Sequence, residues 1–132
     1  MTLRRIATGL ATAIGLSALA LPPTTTWAEE TQYMAVPSSR VGPYSAMGTG
    51  YYGGIIDYMK YVNMNGGVNG VKLTWSECET EYNAARTVEC FQRLLRGPDG
   101  QKMVVFDTLG TPGAYAVINR MREEEVVLAQ YT

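Results

Sequence analysis

The sequence predicts an α/β fold in which short parallel strands alternate with helices in a doubly wound sheet. Apolar runs of strand length recur along the chain, and stretches with apolar residues at helical spacing lie between them. Glycine, proline and asparagine mark the junctions. Because a helix between two strands forces a right-handed crossover and parallel pairing, the predicted element order is βαβαβαβ.

Strand one and helix one are separated by a predicted loop. Residues 33–36 are an apolar run that ends at a proline, which indicates strand one. Residues 38–50 are rich in serine, glycine and proline and predict a long loop. Apolar side chains at helical spacing predict helix one over residues 50–64, with Thr49 as its cap and an Asn-Gly-Gly stop at residues 65–67.

Strand two and helix two follow an Asn-Gly turn at residues 69–70. Apolar and polar residues alternate over residues 71–76, as in a strand with one buried face, which places this strand at a sheet edge. Asn83 is predicted to cap helix two, whose apolar side chains fall on one face. That helix is predicted to end before the Gly-Pro pair at residues 97–98.

Strand three is predicted to be the central strand. Residues 103–106 are continuously apolar, as expected of a strand covered on both faces. Thr111 and Pro112 open helix three, and residues 126–129 supply strand four. With strand two at an edge of the sheet and strand three in its interior, the predicted sheet order is 2-1-3-4. Because no helix follows strand four, we expect an incomplete sheet.

The sequence predicts that residues 1–28 form a secretory signal peptide. An arginine pair at residues 4–5 precedes an uncharged apolar run at residues 6–21 that is shorter than a typical membrane span. A Thr-Trp-Ala sequence suits cleavage after Ala28, which leaves residues 29–132 as the folded part. The arginine pair keeps twin-arginine export open beside the general route, and either route ends outside the cytoplasm.

Composition excludes several function classes. The chain of 132 residues has 11 Lys+Arg and 12 Asp+Glu without a basic patch, so nucleic acid is not an expected partner. It has no histidine and two cysteines, which excludes common nucleophile systems and a Cys/His zinc site. We expect no catalytic residue, no cofactor and no metal. Outside the cytoplasm, Cys78 and Cys90 favour a disulfide over the alternative of two buried thiols.

The predicted ligand site lies where the strand order reverses, between the carboxyl ends of strands one and three. The backbone amides near Gly110 and the hydroxyls of Thr108 and Thr111 can hold a carboxylate at the start of helix three. The alternative is that Thr111 only caps its helix. Tyr44, in the loop after strand one, is the aromatic candidate to pack on an apolar ligand. Asp107 also ends strand three, but its charge would repel a carboxylate.

The glycines of residues 48–53 match the G-x-G-x-x-G pattern of dinucleotide-binding proteins. That pattern should follow its strand directly, whereas a loop intervenes here. A glycine-rich helix start that packs closely on the sheet or a ligand is therefore favoured, and an exported nucleotide-dependent oxidoreductase is the alternative.

Three acidic residues, Glu77, Glu79 and Glu81, follow strand two. Neither a nucleophile nor a metal-ligand partner accompanies them. They predict a solvated acidic loop around the possible disulfide rather than an acid/base site.

Three segments carry a resemblance to a known family: residues 40–48 (RVGPYSAMG), residues 65–73 (NGGVNGVKL) and the stretch from Cys78 to Cys90. They are similar to the start of a periplasmic branched-chain amino acid (leucine/isoleucine/valine-type) ABC transporter substrate-binding protein. The resemblance implies two α/β lobes that close on a small carboxylate without catalysis. The ligand would be an amino acid or an aromatic or other organic acid.

The resemblance also implies where the protein works and which residues bind. It implies a periplasmic location, a membrane-embedded ABC permease as partner, and this chain as the N-terminal part of lobe one. The implied first-lobe ligand contacts are Ser39, Tyr44, Thr108, Gly110 and Thr111. A ligand-sensing receptor domain of the same fold and a nonfunctional fragment remain alternatives.

Overall fold

The computed structural model describes residues 30–131, with the side chain of residue 131 left aside. The predicted signal peptide and its cleavage site lie outside the described residues. Within them, strands and helices alternate in the predicted order βαβαβαβ. The elements are β1 (Thr31–Ser38), α1 (Ser45–Met64), β2 (Lys72–Glu79), α2 (Ala84–Leu94), β3 (Val105–Leu109), α3 (Thr111–Glu123) and β4 (Val127–Tyr131).

The described strands form two parallel pairs rather than one sheet. β1 pairs with β2, with Thr31 opposite Lys72, and β3 pairs with β4, with Val105 opposite Val127. The predicted single sheet of order 2-1-3-4 is therefore wrong in this part of the chain. β1 and β3 still lie side by side, as that order requires, but no ladder of hydrogen bonds joins them.

Other partners occupy the edge of β1 that faces β3. Even-numbered β1 residues bond toward β2, so odd-numbered ones present their backbone groups to β3. Gln101 Oε1 accepts from the Tyr33 N–H at 3.0 Å, and Gln101 Nε2 donates to the Thr31 carbonyl at 2.9 Å. Gln32 Nε2 donates to the Tyr33 carbonyl at 3.1 Å. Pro37 has no N–H to offer. A continuous ladder to β3 would need the groups that these contacts use.

The helices cover opposite faces of the strands. α2 and α3 enclose the larger buried cluster, which includes Tyr33 from β1, Phe91 from α2 and Phe106 from β3. Phe91 and Phe106 meet edge to face with ring centroids 5.2 Å apart. α1 covers the other face with a smaller cluster around Tyr52 and Met59. Because the larger cluster draws residues from both strand pairs, burial of apolar area holds the two pairs together without a shared ladder.

A disulfide joins Cys78 of β2 to Cys90 of α2, which confirms that prediction. Both residues are buried in the cluster between α2, α3 and the strands. The bond therefore ties the end of β2 to the helix that follows it.

Helix one begins earlier than its sequence predicts. α1 starts at Ser45, so Thr49 lies inside the helix and the predicted cap is wrong. Tyr44 occupies the cap position, and its side chain makes no capping hydrogen bond. The Ser45 N–H instead donates to the Gly42 carbonyl at 3.2 Å. Residues 45–50 of the predicted loop are therefore helical.

The remaining boundaries agree more closely. Asn83 caps α2 as predicted, because its side chain accepts from the Arg86 N–H at 3.1 Å. β3 starts two residues after the predicted strand three, at Val105. Gly110, with φ of 97°, holds the cap position of α3, so Thr111 is the first helical residue and does not cap it. No helix within residues 30–131 is both long and apolar enough to cross a membrane.

Candidate functional site

Three loops meet beyond the carboxyl ends of β1, β2 and β3. Gly42 in the first loop lies so close to the second that an added Cβ would be 2.9 Å from the Glu81 carbonyl oxygen. Tyr82 in the second loop packs on Gly110 in the third, where an added Cβ would be 2.2 Å from the tyrosine ring. These approaches bring the three loops into contact at the carboxyl ends of the strands, where ligands of parallel sheets commonly bind. We call the surface formed by the three loops the loop cleft.

Glu79, at the end of β2, fixes the first loop against the second. Its Oε2 accepts from Ser38 Oγ at 3.1 Å and from the Arg40 N–H at 2.7 Å. Its Oε1 accepts from the Glu81 N–H at 2.7 Å. A carboxylate that accepts several hydrogen bonds is a strong local anchor. The prediction of a solvated acidic loop is therefore wrong for Glu79.

The other two acidic residues are paired as well. Glu77 forms a hydrogen-bonded ion pair with Arg40, whose Nη1 also donates to the Thr49 carbonyl at 3.1 Å. Glu81 pairs with Arg86 at 2.9 Å. These pairs are partly exposed and contribute little stability individually. The Arg40 contacts join the first loop to β2 and α1, and the Glu81–Arg86 pair joins the second loop to α2.

The side chain of Ser39 is turned into the protein. It is fully buried, and its Oγ lies 2.9 Å from Thr80 Oγ1. Thr80 Oγ1 in turn donates to the Ser38 carbonyl at 2.8 Å. In this arrangement the Ser39 hydroxyl helps to join two of the loops and does not face the cleft.

Tyr44 and Tyr82 form an aromatic pair at the cleft. Their ring centroids are 4.1 Å apart with an angle of 41° between the planes. Tyr44 is 44% exposed. Tyr82 and the preceding Glu81 both have left-handed backbone angles, with φ of 58° and 52°. A tyrosine rarely adopts this conformation, and here it directs the ring toward Gly110.

The start of α3 presents polar groups beside that ring. Thr111 is exposed, and its Oγ1 accepts from Gln130 Nε2 at 3.4 Å. The first intrahelical hydrogen bond runs from the Ala114 N–H to the Gly110 carbonyl at 3.3 Å. The N–H groups of Thr111 and Gly113 come before it, and helix geometry gives such groups no acceptor four residues back. Pro112 contributes no donor.

Thr108 lies beneath the cleft rather than on its surface. Its side chain is 3% exposed, and its Oγ1 has no hydrogen-bond partner among the described residues. The structure thus brings Tyr44, Gly110 and Thr111 together around the Tyr82 ring, and it buries Ser39 and Thr108. Tyr82 was missed in the sequence because nothing local distinguishes it. Its position just past β2, before the Asn83 cap, was the only available signal.

Asp107 lies beside a cavity between the strands and α1. It lines a cavity of about 190 Å³ bounded by apolar side chains of β1, α1 and β3, including Val36, Ile55 and Met59. Burial raises the pKa of its carboxyl to about 6, and the nearby Tyr51 hydroxyl acts in the opposite direction. That hydroxyl donates to Asp107 Oδ2 at 3.4 Å.

The glycines of residues 48–53 lie inside α1, not in a turn between strand and helix. Gly48 packs against the first loop, where an added Cβ would be 1.9 Å from the Ser39 carbonyl oxygen. This is the close approach of a helix to the strand end, and the backbone does not form the phosphate-binding turn of a dinucleotide site. Within residues 30–131, no three side chains of metal-ligating type are grouped as a metal site.

Residues 31–131 match the sequence profile of the family described as periplasmic binding protein. The chain belongs to the type I periplasmic binding protein family. Members of this family are typically binding proteins and not enzymes, and they work outside the cytoplasm. No curated protein is significantly similar to the chain.

Solved structures of this periplasmic-binding-protein type share the fold. A structure described as an ABC transporter permease from the Pseudomonas fluorescens group is 39% identical with a TM-score of 0.71, over 76% of this chain and 25% of that one. A fatty acid ABC transporter substrate-binding protein from Thermomonospora curvata is 19% identical with a TM-score of 0.69. The match covers 80% of this chain and 26% of that structure. A periplasmic binding protein type 1 from Bordetella pertussis Tohama I is 23% identical with a TM-score of 0.63. The match covers 75% of this chain and 26% of that structure. The chain spans about a quarter of the length of these structures.

Proposed function

We propose that this chain supplies the N-terminal part of the first lobe of an exported solute receptor for an ABC importer. Its ligand would be a small organic carboxylate, either an amino acid or an aromatic or other organic acid. The observation that carries the proposal is the meeting of three anchored loops at the start of α3. There the Thr111 side chain is exposed, and the Thr111 N–H comes before the first intrahelical hydrogen bond of α3.

The start of α3 suits a carboxylate for two reasons. Its first N–H groups lack intrahelical acceptors, and the helix dipole favours negative charge at this end. Gly110, at the cap position, has a φ of 97°, which suits glycine, and its lack of a side chain allows the Tyr82 ring to pack against it. Ser39 and Glu79 act indirectly in this proposal, because they hold the first loop in place.

The related structures support the transport role. One is described as an ABC transporter permease and another as a fatty acid ABC transporter substrate-binding protein, so ABC transport recurs among the relatives. By this likeness, the membrane partner would be an ABC permease. A second lobe, contributed by chain beyond these residues, would bury the ligand from the opposite side.

Calorimetric titration with matched acids and amides tests the proposal. We expect leucine, phenylalanine or benzoate to bind, and the corresponding primary amide to bind at least about tenfold more weakly, because an amide carries no charge. Thr111→Val should weaken binding of the acid about fivefold by removing one hydroxyl.

Thr49→Val is the matched control, because Thr49 is exposed on α1 and its Oγ1 makes only a 3.5 Å contact with the Arg40 carbonyl. It should leave acid binding unchanged. Equal affinity for acid and amide, or no saturable binding of any acid in the panel, would contradict the proposed function.

A further inference from the structure

We propose that the cavity beside Asp107 is a second binding site, which takes a short aliphatic chain that ends in a primary ammonium group. The cavity lies between α1 and the strands, and none of the residues that form the loop cleft lines it. The inference goes beyond the proposed function and does not depend on it, because the site is different and its ligand has the opposite charge.

The first step is the size and lining of the cavity. Its volume is about 190 Å³. Val36, Tyr52 and Met59 in its lining are buried, whereas Ile55 and Ala129 are partly exposed, so a ligand can reach the cavity from solvent. An apolar cavity of roughly 150 Å³ is large enough to bind benzene. The n-pentylammonium ion has as many non-hydrogen atoms as benzene, so the cavity has room for it.

The second step is the carboxyl group in this lining. Asp107 Oδ2 accepts from the Tyr51 hydroxyl at 3.4 Å. Asp107 Oδ1 is buried and has no hydrogen-bond partner among the described residues. Apart from Tyr52, the other side chains that line the cavity are apolar. A buried carboxylate oxygen without a donor is costly, so a ligand that brings a donor to Oδ1 gains affinity.

The third step is the kind of ligand that these groups favour. A primary ammonium group donates hydrogen bonds and also neutralises the carboxylate, which makes the hydrogen bond stronger than a neutral one. Its alkyl chain leaves water when it packs on Val36, Ile55 and Met59. An alcohol of the same length makes the apolar contacts but leaves the charge unpaired. The cavity therefore favours an alkylammonium ion over the matched alcohol.

The test compares two ligands that differ only in the polar group. We expect n-pentylamine, which is protonated at pH ~7, to bind the protein at least about tenfold more tightly than n-pentanol in calorimetric titration.

Variants assign the preference to the cavity. Asp107→Asn should reduce the amine-to-alcohol affinity ratio toward about one, with little change for the alcohol. Asp57→Asn is the matched control and should leave the ratio unchanged, because Asp57 is an exposed aspartate of α1. Ala129→Leu should weaken the binding of both ligands, because the larger side chain takes up space in the cavity.

The pH dependence of amine binding is a second readout. Burial raises the pKa of Asp107 to about 6. The titratable groups that face it are the hydroxyls of Tyr51 and Tyr52 on α1, and the residues of β1 and β4 that line the cavity carry no ionisable side chain. Because ammonium pairs with the ionised carboxyl, amine affinity should rise about tenfold between pH ~5 and pH ~7. Asp107→Asn should abolish this rise.

A lysine side chain ends in the same ammonium group, so the source of the ligand needs its own comparison. Nα-acetyl-lysine methylamide carries the lysine side chain on a blocked backbone. If it binds as tightly as n-pentylamine, the cavity takes a lysine of a polypeptide. If it binds at least about tenfold more weakly, the cavity takes a free amine. Either result supports an alkylammonium site.

The outcomes separate this inference from the proposed function. Equal affinity for amine and alcohol, a ratio unchanged in Asp107→Asn, or no saturable binding of the amine overturns the inference and leaves the carboxylate site of the loop cleft standing. Amine binding in a protein that binds none of the acids would support the inference and contradict the proposed function.

Discussion

Asp107 illustrates how one residue can oppose the stability of the fold that contains it. Its carboxyl lies against Val36, Ile55 and Met59 in the cavity beside β1. Burial raises its pKa from 3.8 to about 6. A carboxyl is retained in this apolar setting with the Tyr51 hydroxyl as hydrogen-bond donor.

The pH dependence of stability follows from the direction of that shift. Between pH 3.8 and about 6 the folded chain binds the Asp107 proton more tightly than the unfolded chain does. The contribution of Asp107 to the free energy of unfolding therefore falls as pH rises through this window and stays low above it. Asp107→Asn should be more stable than the parent by about 1–2 kcal/mol above pH ~7, with the difference shrinking toward pH ~4.

Urea unfolding followed by circular dichroism at several pH values measures this difference. Asp57→Asn is the matched control, because Asp57 is an exposed aspartate of α1 whose carboxylate pairs with Lys60 at 3.0 Å. A constant stability difference between Asp107→Asn and the parent at all pH values would show that Asp107 does not titrate in this window.

At the scale of single residues, the sequence predicts that Tyr44 and the start of α3 lie near each other, but it does not predict the residues that connect them. Gly110 and Thr111 are recognisable because glycine, threonine and proline before an apolar helical pattern mark a helix start. Tyr82 and Glu79 gain their roles from contacts with other loops, and such contacts leave no local pattern. Glu79, for instance, reaches Arg40 across 39 positions of sequence.

At the scale of elements, the strand pairing also depends on contacts between distant parts of the chain, which a local sequence pattern does not predict. The alternation of strands and helices is local and was predicted correctly. The separation between β1 and β3 depends on Gln101, whose side chain bonds to Tyr33 from 68 positions away. No periodic pattern in the sequence predicts such a contact. The early start of α1 was missed for a different reason: serine, glycine and proline there indicate a loop, while packing on the strand end favours a helix.

Two glycines of α1 allow packing and helix propensity to be separated. Gly48 is buried, and a Cβ there would lie 1.9 Å from the Ser39 carbonyl oxygen. Gly50 is exposed, and a Cβ there would meet nothing within 4 Å. Gly48→Ala should therefore lower the free energy of unfolding by about 1–3 kcal/mol through displacement of the helix. Gly50→Ala should raise it by about 0.5–1 kcal/mol, because alanine favours helix.

Thermal and urea unfolding of the two variants, side by side, measure these effects. If the two substitutions change the free energy of unfolding in opposite directions, close packing against the first loop explains why residue 48 is a glycine. If both substitutions were stabilising, α1 would not lie against the first loop as described.

At the scale of the molecule, the question is whether two separate strand pairs behave as one folding unit. The larger buried cluster includes Tyr33 and Cys78 from the β1–β2 pair and Phe106 from β3. Phe91 and Cys90 of α2 lie in the same cluster, so this helix contacts both pairs. We therefore expect unfolding in a single transition, with apolar burial as the coupling between the pairs.

Removal of the Cys78–Cys90 disulfide tests the coupling between the two strand pairs. The two cysteines are 12 positions apart and join β2 to α2 inside the shared cluster. Replacing both with alanine should lower the free energy of unfolding by about 2–4 kcal/mol, since the cross-link restricts the unfolded chain. Because α2 packs on both pairs, hydrogen exchange should accelerate in β3 and β4 as well as in β1 and β2. Faster exchange confined to β1 and β2 would instead mean that the β3–β4 pair folds independently.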